Sequence, residues 1–408
     1  MKLTKPLVID TNIILLGLNN LNNLRNTKIV IPSSIMTEID KFKSDMGEKG
    51  KNARDFSRML FDYIEKGENL LKGVKFGNNK LYIRQSPVAD SVDLSIMELC
   101  KKVNGVLFTE DANLRIIAHM NGLETRGVDL VVEKTTNEQR VIKLTDKQMD
   151  EFIINKSLSN IDGLVLNEYV ALQHDDNLMG TIYDGVKLKS IRSSLAPFNI
   201  AALNLEQAFA LDALMNDNIK LVCLIGPSGT GKTLLTMATG LFKVLDRGSY
   251  NSLIVSKPVI PMGKDLGYLP GEIQDKVMPW MGSMNDAIET ILGGKGKTEA
   301  TTLIENGVIK LEPMTYMRGR SFNREFIFID EAQNISIHEI KTIMTRVGKD
   351  TKIILSGDPN QIDTPQLDSI NNGLVYVANK FSGNELAAMV NLNQTERSEL
   401  AAAAVKLL

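Results

Sequence analysis

The stretch KLVCLIGPSGTGKTLLTMATGLFKVL, residues 220–245, decides the fold of the C-terminal part of the chain. It begins with an apolar run typical of a buried strand, passes through a glycine-rich loop and continues with a helical pattern. In this strand–loop–helix context the spacing G-x-x-x-x-G-K-[ST] is typical of a phosphate-binding loop. The candidate nucleotide-binding residues are Gly226, Pro227, Ser228, Gly229, Thr230, Gly231, Lys232 and Thr233.

The residue types in this loop match what a nucleoside triphosphate requires. Glycines let backbone N–H groups wrap the phosphates, and the following helix presents its positive end to them. Lys232 is placed to reach the β- and γ-phosphate oxygens, and the hydroxyl group of Thr233 is placed to ligate Mg²⁺. We therefore expect ATP and Mg²⁺ as cofactors.

Two further strands lead into polar residues that complete such a site. The run EFIFIDEAQN, residues 325–334, ends an apolar strand at Asp330 and Glu331. A carboxylate at the C-terminal end of a strand is where an α/β sheet places ligand groups, so Asp330 would hold Mg²⁺ through water and Glu331 would orient or deprotonate the attacking water. The run KIILSGDP, residues 352–359, leads to Gln361, a candidate for contacting the γ-phosphate. Gln207 lies upstream, where it would either read the adenine edge or simply be a surface residue.

Outward from this site, the composition is that of an ordinary globular protein. The 408 residues carry a net charge of −2 and are 43% apolar, so no overall positive field draws the chain to nucleic acid or to a membrane. Two cysteines, Cys100 and Cys223, exclude a disulfide framework and a cysteine-based zinc cluster. The N-terminus lacks a secretory signal or a membrane span, so a cytoplasmic location and no membrane partner are expected.

The order of strand and helix patterns predicts an α/β protein with three parts. Residues 1–130 alternate strands and helices, which indicates a parallel sheet covered on both faces. Residues 131–202 are punctuated by Gly, Asp and Asn and predict a small β-rich connector with hairpin turns. Residues 203–408 return to the α/β alternation around the phosphate-binding loop.

Four acids in the first part occur at suggestive places: Asp10, Glu38, Asp93 and Asp111. Three of them lie at or just after strand or loop ends, so they can converge at the C-terminal edge of one parallel sheet. Clustered carboxylates favour Mg²⁺ or Mn²⁺, which would position and ionise a water for phosphodiester attack. The competing interpretation is structural, because Asp10 and Asp111 are also good helix N-caps.

Two family resemblances sharpen these expectations. Residues 204–408 resemble the PhoH-like ATPases, related to superfamily 1 helicases, through GPSGTGKT, KPVIPMGKDLGYLPGEIQDKVMPW, YMRGRSF, FIFIDEAQN, ILSGDPNQID and ERS in the order of that family. Residues 6–130 resemble PIN-domain nucleases through DTN at 10–12, IPSSIMTEIDKFK, DLSI at 93–96 and TEDANLR. The whole chain therefore resembles PIN–PhoH fusion proteins.

The PIN resemblance implies metal-binding roles for Asp10, Glu38, Asp93 and Asp111, with Thr11 or Asn12 in support; Asp90 is a rival for Asp93. The resemblances together imply an N-terminal PIN-like parallel α/β/α sandwich, the connector, and a C-terminal RecA-like P-loop ATPase domain.

Chain length adds a prediction about assembly. A superfamily 1 helicase closes its ATP site between two RecA-like lobes, but only one lobe fits after residue 203. The second surface would then come from another subunit, and the PhoH resemblance implies a homo-hexameric ring. Arg397 is the candidate arginine finger, with a helix salt bridge as the alternative.

Cations interleaved with aromatic residues indicate a single-strand channel, since bases stack and phosphates pair. They are Lys257, Lys264, Tyr268, Lys276, Trp280, Tyr316, Arg318, Arg320 and Phe322. An apolar interface with a charged rim is the other explanation.

The leading hypothesis is an ATP-driven helicase or translocase on single-stranded RNA, with DNA as another possible substrate, coupled to a metal-dependent PIN ribonuclease. The alternatives are an ATP-switched RNA-binding assembly whose PIN-like domain does not cleave, and an ATPase acting on protein partners.

Overall fold

The computed structural model describes residues 5–17, 21, 24, 26–45, 48–127, 139–159, 161–192, 194–258, 282–293, 296–317, 319–364 and 367–396. The chain divides into two units, Met1–Lys134 and Thr135–Leu408. In the described parts of the chain, every helix is too short or too polar to cross a bilayer.

The first unit is built around a six-stranded sheet in the order β3-β4-β2-β1-β5-β6. All neighbouring strands pair in parallel except β3 and β4, which are antiparallel. The elements in chain order are β1 (Leu7–Ile9), α1 (Thr11–Leu15), β2 (Lys28–Pro32), α2 (Ile35–Phe42), α3 (Glu48–Glu65), β3 (Val74–Phe76), β4 (Asn79–Arg84), α4 (Val92–Lys102), β5 (Val106–Phe108), α5 (Ala112–Met120) and β6 (Thr125–Arg126).

The central strands of this sheet are buried on both faces. Every residue of β1 and β5 is buried, which is why LVI and VLF read as continuous apolar runs rather than alternating ones. Because β1, β2, β4 and β5 are parallel, their C-terminal ends share one edge of the sheet. The side chains that follow these strands therefore meet there.

The second unit begins with a five-stranded sheet in the order β7-β9-β10-β11-β8. Its elements are β7 (Val141–Lys143), α6 (Asp146–Asn155), β8 (Ser157–Ser159), β9 (Tyr169–His174), β10 (Asn177–Tyr183) and β11 (Lys187–Ser190). The strands β9 and β10 form the predicted type of hairpin, with Asp175 at a φ of 50° in its turn. Helix α6 was not predicted; Thr145 and Gln148 start it with a reciprocal capping box.

The rest of the second unit is a six-stranded, fully parallel sheet in the order β14-β13-β15-β16-β12-β17. Its elements are α7 (Leu205–Met215), β12 (Leu221–Ile225), α8 (Lys232–Leu241), β13 (Leu253–Ser256), α9 (Gly282–Leu292), α10 (Gly296–Glu305), β14 (Ile309–Leu311), β15 (Phe326–Ile329), α11 (Ile337–Met344), β16 (Lys352–Gly357), α12 (Gly373–Phe381) and β17 (Ala387–Asn391).

Alternate residues of this sheet enter two separate cores. Val222 and Leu224 of β12 pack with α7 and α8 on one face, whereas Cys223 and Ile225 pack with α11 and α12 on the other. A parallel sheet covered by helices on both faces confirms the predicted α/β architecture.

The five-stranded sheet contacts helix α7 and strand β17 of the part that contains the six-stranded sheet. The rings of Tyr169 and Phe209 lie 5.3 Å apart, and the Tyr169 hydroxyl group donates to Asp212 at 2.9 Å. The side-chain amide of Asn167 donates to the backbone oxygen of Ala387 at 3.1 Å. Since both sheets belong to one unit, the separate connector of residues 131–202 stays a prediction.

Candidate functional site

The glycine-rich loop connects the end of β12 to the start of α8. Gly226 has a φ of 155°, and a Cβ atom placed there would lie 1.8 Å from the backbone oxygen of Leu392. Gly229 and Gly231 have φ values of 88° and 91°, in the left-handed region that favours glycine. The spacing of glycines thus has a local steric cause, and it leaves α8 without a side-chain cap at its N-terminus.

The ammonium group of Lys232 is turned into the loop. Its Nζ atom donates to the backbone oxygens of Gly226 at 2.6 Å and Pro227 at 2.8 Å, and the side chain is buried. Incoming phosphate oxygens can replace these carbonyl acceptors, so the buried charge need not be left unpaired when a nucleotide binds. The position fits the predicted contact with phosphate.

The hydroxyl group of Thr233 donates to Asp330 Oδ2 at 3.1 Å, which joins the two predicted Mg²⁺ ligands. Asp330 is buried at the C-terminal end of β15, and β16 lies between β15 and the loop strand β12. Burial, followed by the charge of Glu331, raises the pKa of Asp330, while Lys257 and Lys232 act in the opposite direction. A hydroxyl and a desolvated carboxylate side by side are hard oxygen donors that suit Mg²⁺.

Glu331 is held from two sides. It has a φ of 53°, an uncommon conformation for a residue other than glycine. One carboxylate oxygen lies 3.7 Å from Lys257 Nζ, and the other accepts a hydrogen bond from Gln333 Nε2 at 2.7 Å. The carboxylate that we predict to orient the attacking water therefore has a fixed direction.

Gln333 connects Glu331 to the segment after β16. Its Nε2 atom also donates to the backbone oxygen of Gln361 at 2.8 Å, and its Oε1 atom accepts from the backbone N–H of Asp358 at 3.2 Å. Gln333 is fully buried, whereas Gln361 is exposed. The predicted contact of Gln361 with the γ-phosphate stays a prediction.

Buried polar atoms without a hydrogen-bond partner among the described residues flank Asp330. They are Ser256 Oγ at the end of β13, Ser356 Oγ in β16, and Asn334 Nδ2 in the turn that follows Glu331. Such atoms are costly to bury and are usually satisfied by water or ligand. Their presence at this edge of the sheet supports a ligand site there.

Gln207 is held within the fold. It is buried in α7, its Nε2 atom donates to the backbone oxygen of Thr230 at 3.1 Å, and its Oε1 atom accepts from the backbone N–H of Leu203 at 2.9 Å. Both ends of the amide thus hold the backbone, and Gln207 supports the phosphate-binding loop from within. The surface-residue alternative is wrong because the side chain is buried, and the adenine contact stays a prediction.

In the first unit, Asp10 follows β1 and is buried. Its Oδ2 atom accepts from the Thr109 hydroxyl group at 2.6 Å, and its Oδ1 atom accepts from the backbone N–H of Thr11 at 2.6 Å. Burial is the largest cause that raises the pKa of Asp10 to about 6, with the charges of Asp93 and Glu38 adding to it. The Thr11 hydroxyl group donates to Glu38 Oε2 at 2.5 Å, so Thr11 joins two of the predicted ligands.

Asp93 shares the same field. Burial, then Glu38 and Asp111, raise the pKa of Asp93. Asp111 also caps α5 by accepting from the backbone N–H groups of Asn113 and Leu114 at 2.8 and 3.0 Å. The charges of the four acids therefore act on one another, and the choice between Asp93 and Asp90 as the ligand stays a prediction.

Asn12 and Thr109 form hydrogen bonds beside the cluster of four acids. Asn12 Nδ2 donates to the Thr109 hydroxyl group at 3.0 Å, and the same hydroxyl group accepts from the backbone N–H of Asp111 at 3.0 Å. Among the described residues, no three His, Cys, Asp or Glu side chains are spaced to ligate a common metal ion. The donor set suits Mg²⁺ or Mn²⁺, but the carboxylates would have to draw closer around the ion.

Comparison with known proteins decides the family. A family model described as "PhoH-like protein" matches residues 199–408, and a PIN-domain model matches residues 7–129. The chain belongs to the PhoH-like protein family. The predicted arrangement of an N-terminal PIN domain and a C-terminal PhoH domain is confirmed.

Curated relatives align with the whole chain or with its C-terminal part. Protein PhoH2 of Bacillus subtilis (strain 168) is 35% identical over 446 aligned positions that cover 100% of both chains. Protein PhoH2 of Thermobispora bispora is 26% identical and covers 99% of this chain and 97% of its own. A PhoH-like protein of Bacillus subtilis (strain 168) is 35% identical over 43% of this chain and 53% of its own.

The PhoH-like domain also contains site residues that the sequence did not reveal. Buried Glu206 accepts hydrogen bonds from the backbone N–H groups of Asn393 and Gln394 at 2.6 and 2.9 Å. Asn204 Nδ2 donates to Glu396 Oε1 at 2.7 Å, and the Glu396 backbone N–H donates to the oxygen of Gly229 at 3.0 Å. We call residues 392–396 the docked segment, because they lie against the phosphate-binding loop.

Other predicted residues of the PhoH-like domain cannot be placed. Arg397, Arg318 and the segment 259–281 lie outside the described residues, and with them Lys264, Tyr268, Lys276 and Trp280. Arg320 forms two hydrogen bonds with Glu312 at 2.8 and 2.9 Å, and Phe322 is buried beneath it. For this pair, the choice between a single-strand channel and an apolar interface with a charged rim stays a prediction.

Proposed function

We propose that the chain is an ATP-hydrolysing motor that forms a ring on single-stranded RNA and delivers the strand to a metal-dependent ribonuclease site in its PIN domain. The observation that carries the proposal is the contact between Thr233 and Asp330 at the end of a glycine-rich loop. It places the two groups that suit Mg²⁺ beside a lysine with exchangeable acceptors and beside an oriented glutamate. These are the parts that phosphoryl transfer to water requires.

In this proposal the loop residues Gly226–Thr233 would hold the phosphates, and Thr233 and Asp330 would hold Mg²⁺. The bound ion would neutralise charge on the phosphates. Lys232 exchanges loop carbonyls for phosphate oxygens, and Glu331 orients the attacking water with its direction fixed by Gln333. Arg397 would be supplied to a neighbouring subunit as the arginine finger.

The proposal of a ring is supported by the one parallel sheet with a phosphate-binding loop among the described residues of the second unit. If the site needs a second surface, another subunit must provide it, and we propose a homo-hexamer. Sedimentation of a monomer with full ATPase activity would refute this part. The cytoplasmic location stays a prediction from the sequence.

The PIN domain would hold Mg²⁺ or Mn²⁺ through Asp10, Glu38, Asp93 and Asp111. Bound cations would polarise a water for attack on a phosphodiester. The mutual repulsion of these acids and the raised pKa of Asp10 support the assignment, because added positive charge stabilises their ionised forms.

The proposal is tested with purified full-length protein, RNA and its DNA counterpart. We expect ATP hydrolysis that RNA stimulates and Lys232→Ala abolishes, and Mn²⁺-dependent loss of RNA that Asp10→Asn abolishes while ATP hydrolysis continues. ATP hydrolysis that is indifferent to either nucleic acid would refute the RNA motor and favour a protein partner. ATP hydrolysis that DNA stimulates and RNA does not would show that the nucleic-acid substrate is DNA.

A second candidate is an ATP-switched RNA-binding assembly whose PIN domain does not cleave. It is favoured by the absence, among the described residues, of acids spaced around one metal position. RNA-stimulated ATP hydrolysis without any loss of RNA in Mg²⁺ or Mn²⁺ would identify this function instead.

A further inference from the structure

Three lysines stand side by side across the outer part of the PIN sheet. Lys28 of β2 and Lys75 of β3 are both register partners of Lys80 in β4. Residues directly opposite one another on adjacent strands present their side chains to the same face. The three lysines therefore form a row across three strands, and all three are exposed.

This cationic row lacks internal compensation. Like charges directly opposite one another destabilise a sheet. Among the described residues, none of the three lysines forms an ion pair with a carboxylate. Lysine on an edge strand protects against aggregation, which would explain Lys75 in β3 but not Lys28 and Lys80 in strands that are paired on both sides. A bound polyanion would neutralise the positive charge of such a row.

The same face continues along β4 with an aromatic residue and a fourth cation. Lys80, Tyr82 and Arg84 alternate along the strand and so share one face. The Tyr82 ring lies 5.6 Å from Lys80 Nζ and 5.1 Å from the Arg84 guanidinium carbon. Cations and an aromatic ring on one face are the residue types that bind the phosphates and bases of single-stranded nucleic acid; within the chain, Arg84 also donates to the backbone oxygen of Leu71, and the Tyr82 ring packs against Gly73.

The face formed by Lys80, Tyr82 and Arg84 leads along β4 toward the carboxylates. Lys80 lies near the start of β4 and Arg84 at its end, on the edge of the sheet where Asp10 follows β1. The Arg84 backbone oxygen accepts from the N–H of Ser33 at 2.9 Å, directly before helix α2, which carries Glu38 in its first turn. At about 3.3 Å per residue, the path from Lys80 to Arg84 spans roughly 13 Å.

We propose that Lys28, Lys75, Lys80, Tyr82 and Arg84 form a binding face for the phosphate backbone of single-stranded RNA on its way to the PIN carboxylates. The proposal rests on the proposed function, since the face needs a nucleic-acid substrate. An acidic protein segment is the other polyanion that could bind the row. The aromatic ring and the path toward a phosphodiester-cleaving site favour RNA.

The test compares the full-length protein with the variant Lys28→Gln/Lys75→Gln/Lys80→Gln. The matched control is Lys51→Gln/Lys101→Gln/Lys102→Gln, which removes three exposed lysines from helices of the same unit. Binding of a fluorescein-labelled oligouridylate is measured by anisotropy in EDTA without ATP, over a series of salt concentrations. Thermal unfolding and ATP hydrolysis verify that each variant is folded.

If the row makes three phosphate contacts, the slope of log K against log salt becomes shallower by about 2, and affinity at 0.1 M salt falls about 100-fold. The control should keep the wild-type slope. A row variant with the wild-type affinity and slope, or a control with the same loss, would overturn the proposal while leaving the proposed function standing. Failure of the wild-type protein to bind the oligonucleotide would instead remove the proposed function.

Competition separates the two kinds of polyanion. Polyuridylate should displace the labelled strand from wild-type protein at a lower charge concentration than polyglutamate does. Equal displacement by polyglutamate would show a surface for acidic proteins, and the assignment to RNA would be wrong.

Discussion

Gln333 offers the sharpest test of how the ATP site is held. Its amide nitrogen donates to Glu331 Oε2 at 2.7 Å and to the backbone oxygen of Gln361 at 2.8 Å. The substitution Gln333→Glu keeps the shape of the side chain but replaces this donor with an oxygen. Two attractive contacts then become contacts between oxygen atoms, in a place where the wild-type side chain is fully buried.

The size of the effect follows from the lost hydrogen bond to a charged group. Such bonds contribute about 1.5–3 kcal/mol, and about 1.4 kcal/mol corresponds to a tenfold change in rate. If the whole free energy of this hydrogen bond serves to orient Glu331, kcat for ATP hydrolysis should fall about 10- to 100-fold. KM for ATP should change little, because Gln333 makes none of the contacts within the phosphate-binding loop.

The assay is steady-state ATP hydrolysis by the full-length chain, with thermal unfolding to verify the fold. Gln173→Glu is the matched control, since it makes the same change of charge in β9 of the five-stranded sheet. A folded Gln333→Glu protein with kcat within about twofold of wild type would refute the positioning role. A rise in KM without a fall in kcat would refute it equally.

Three further predictions concern the PIN acids and the docked segment. Asp10→Asn should abolish Mn²⁺-dependent RNA loss in a gel assay while leaving kcat for ATP hydrolysis within about twofold; unchanged RNA loss would move the site elsewhere. In EDTA, the raised pKa of Asp10 means that the folded state binds its proton more tightly than the unfolded chain between pH 3.8 and about 6, so this carboxyl destabilises the protein as pH rises through that window. The loss is about 3 kcal/mol at most, and Asp10→Asn should remove it from melting curves at pH 5 and 7; an identical pH dependence in the variant would contradict this cause. Glu206→Gln should cost about 1–3 kcal/mol of stability by weakening its bonds to Asn393 and Gln394, and should raise KM for ATP; wild-type melting and KM would refute the role of the docked segment.

The sequence was informative where a function depends on short-range pattern. The glycines at 226, 229 and 231 are dictated by local backbone conformation, and a strand before them and a helix after them are visible as apolar runs. The four acids of the PIN domain were predicted to lie together because parallel strands end at one edge of a sheet, and the resemblance to PIN-domain nucleases implied their metal-binding role, which stays a prediction.

The sequence was uninformative where a side chain acts on a distant part of the chain. Glu206 accepts from backbone groups 187 and 188 residues away, and Thr109 donates to Asp10 across 99 residues. Neither residue type is unusual in its local context, so no pattern distinguishes it. Helix α6 was missed because its capping signal lies within a stretch read as turns.

The negative charge of the carboxylates is compensated differently around Asp330 and around Asp10. At the ATP site, the charges of Lys257 and Lys232 oppose the rise in the pKa of Asp330, and Thr233 donates to it. At the PIN site, the groups that lower the pKa of Asp10 are hydrogen-bond donors, and the charges that act on it are those of other acids. The ATP site therefore carries part of its compensating charge in its own side chains, and the PIN cluster must obtain it from protons or from cations. Because RNA brings further negative charge to that cluster, a divalent ion would offset repulsion at the carboxylates, and the row of lysines at the other end of β4 would offset the charge of the strand that leads there.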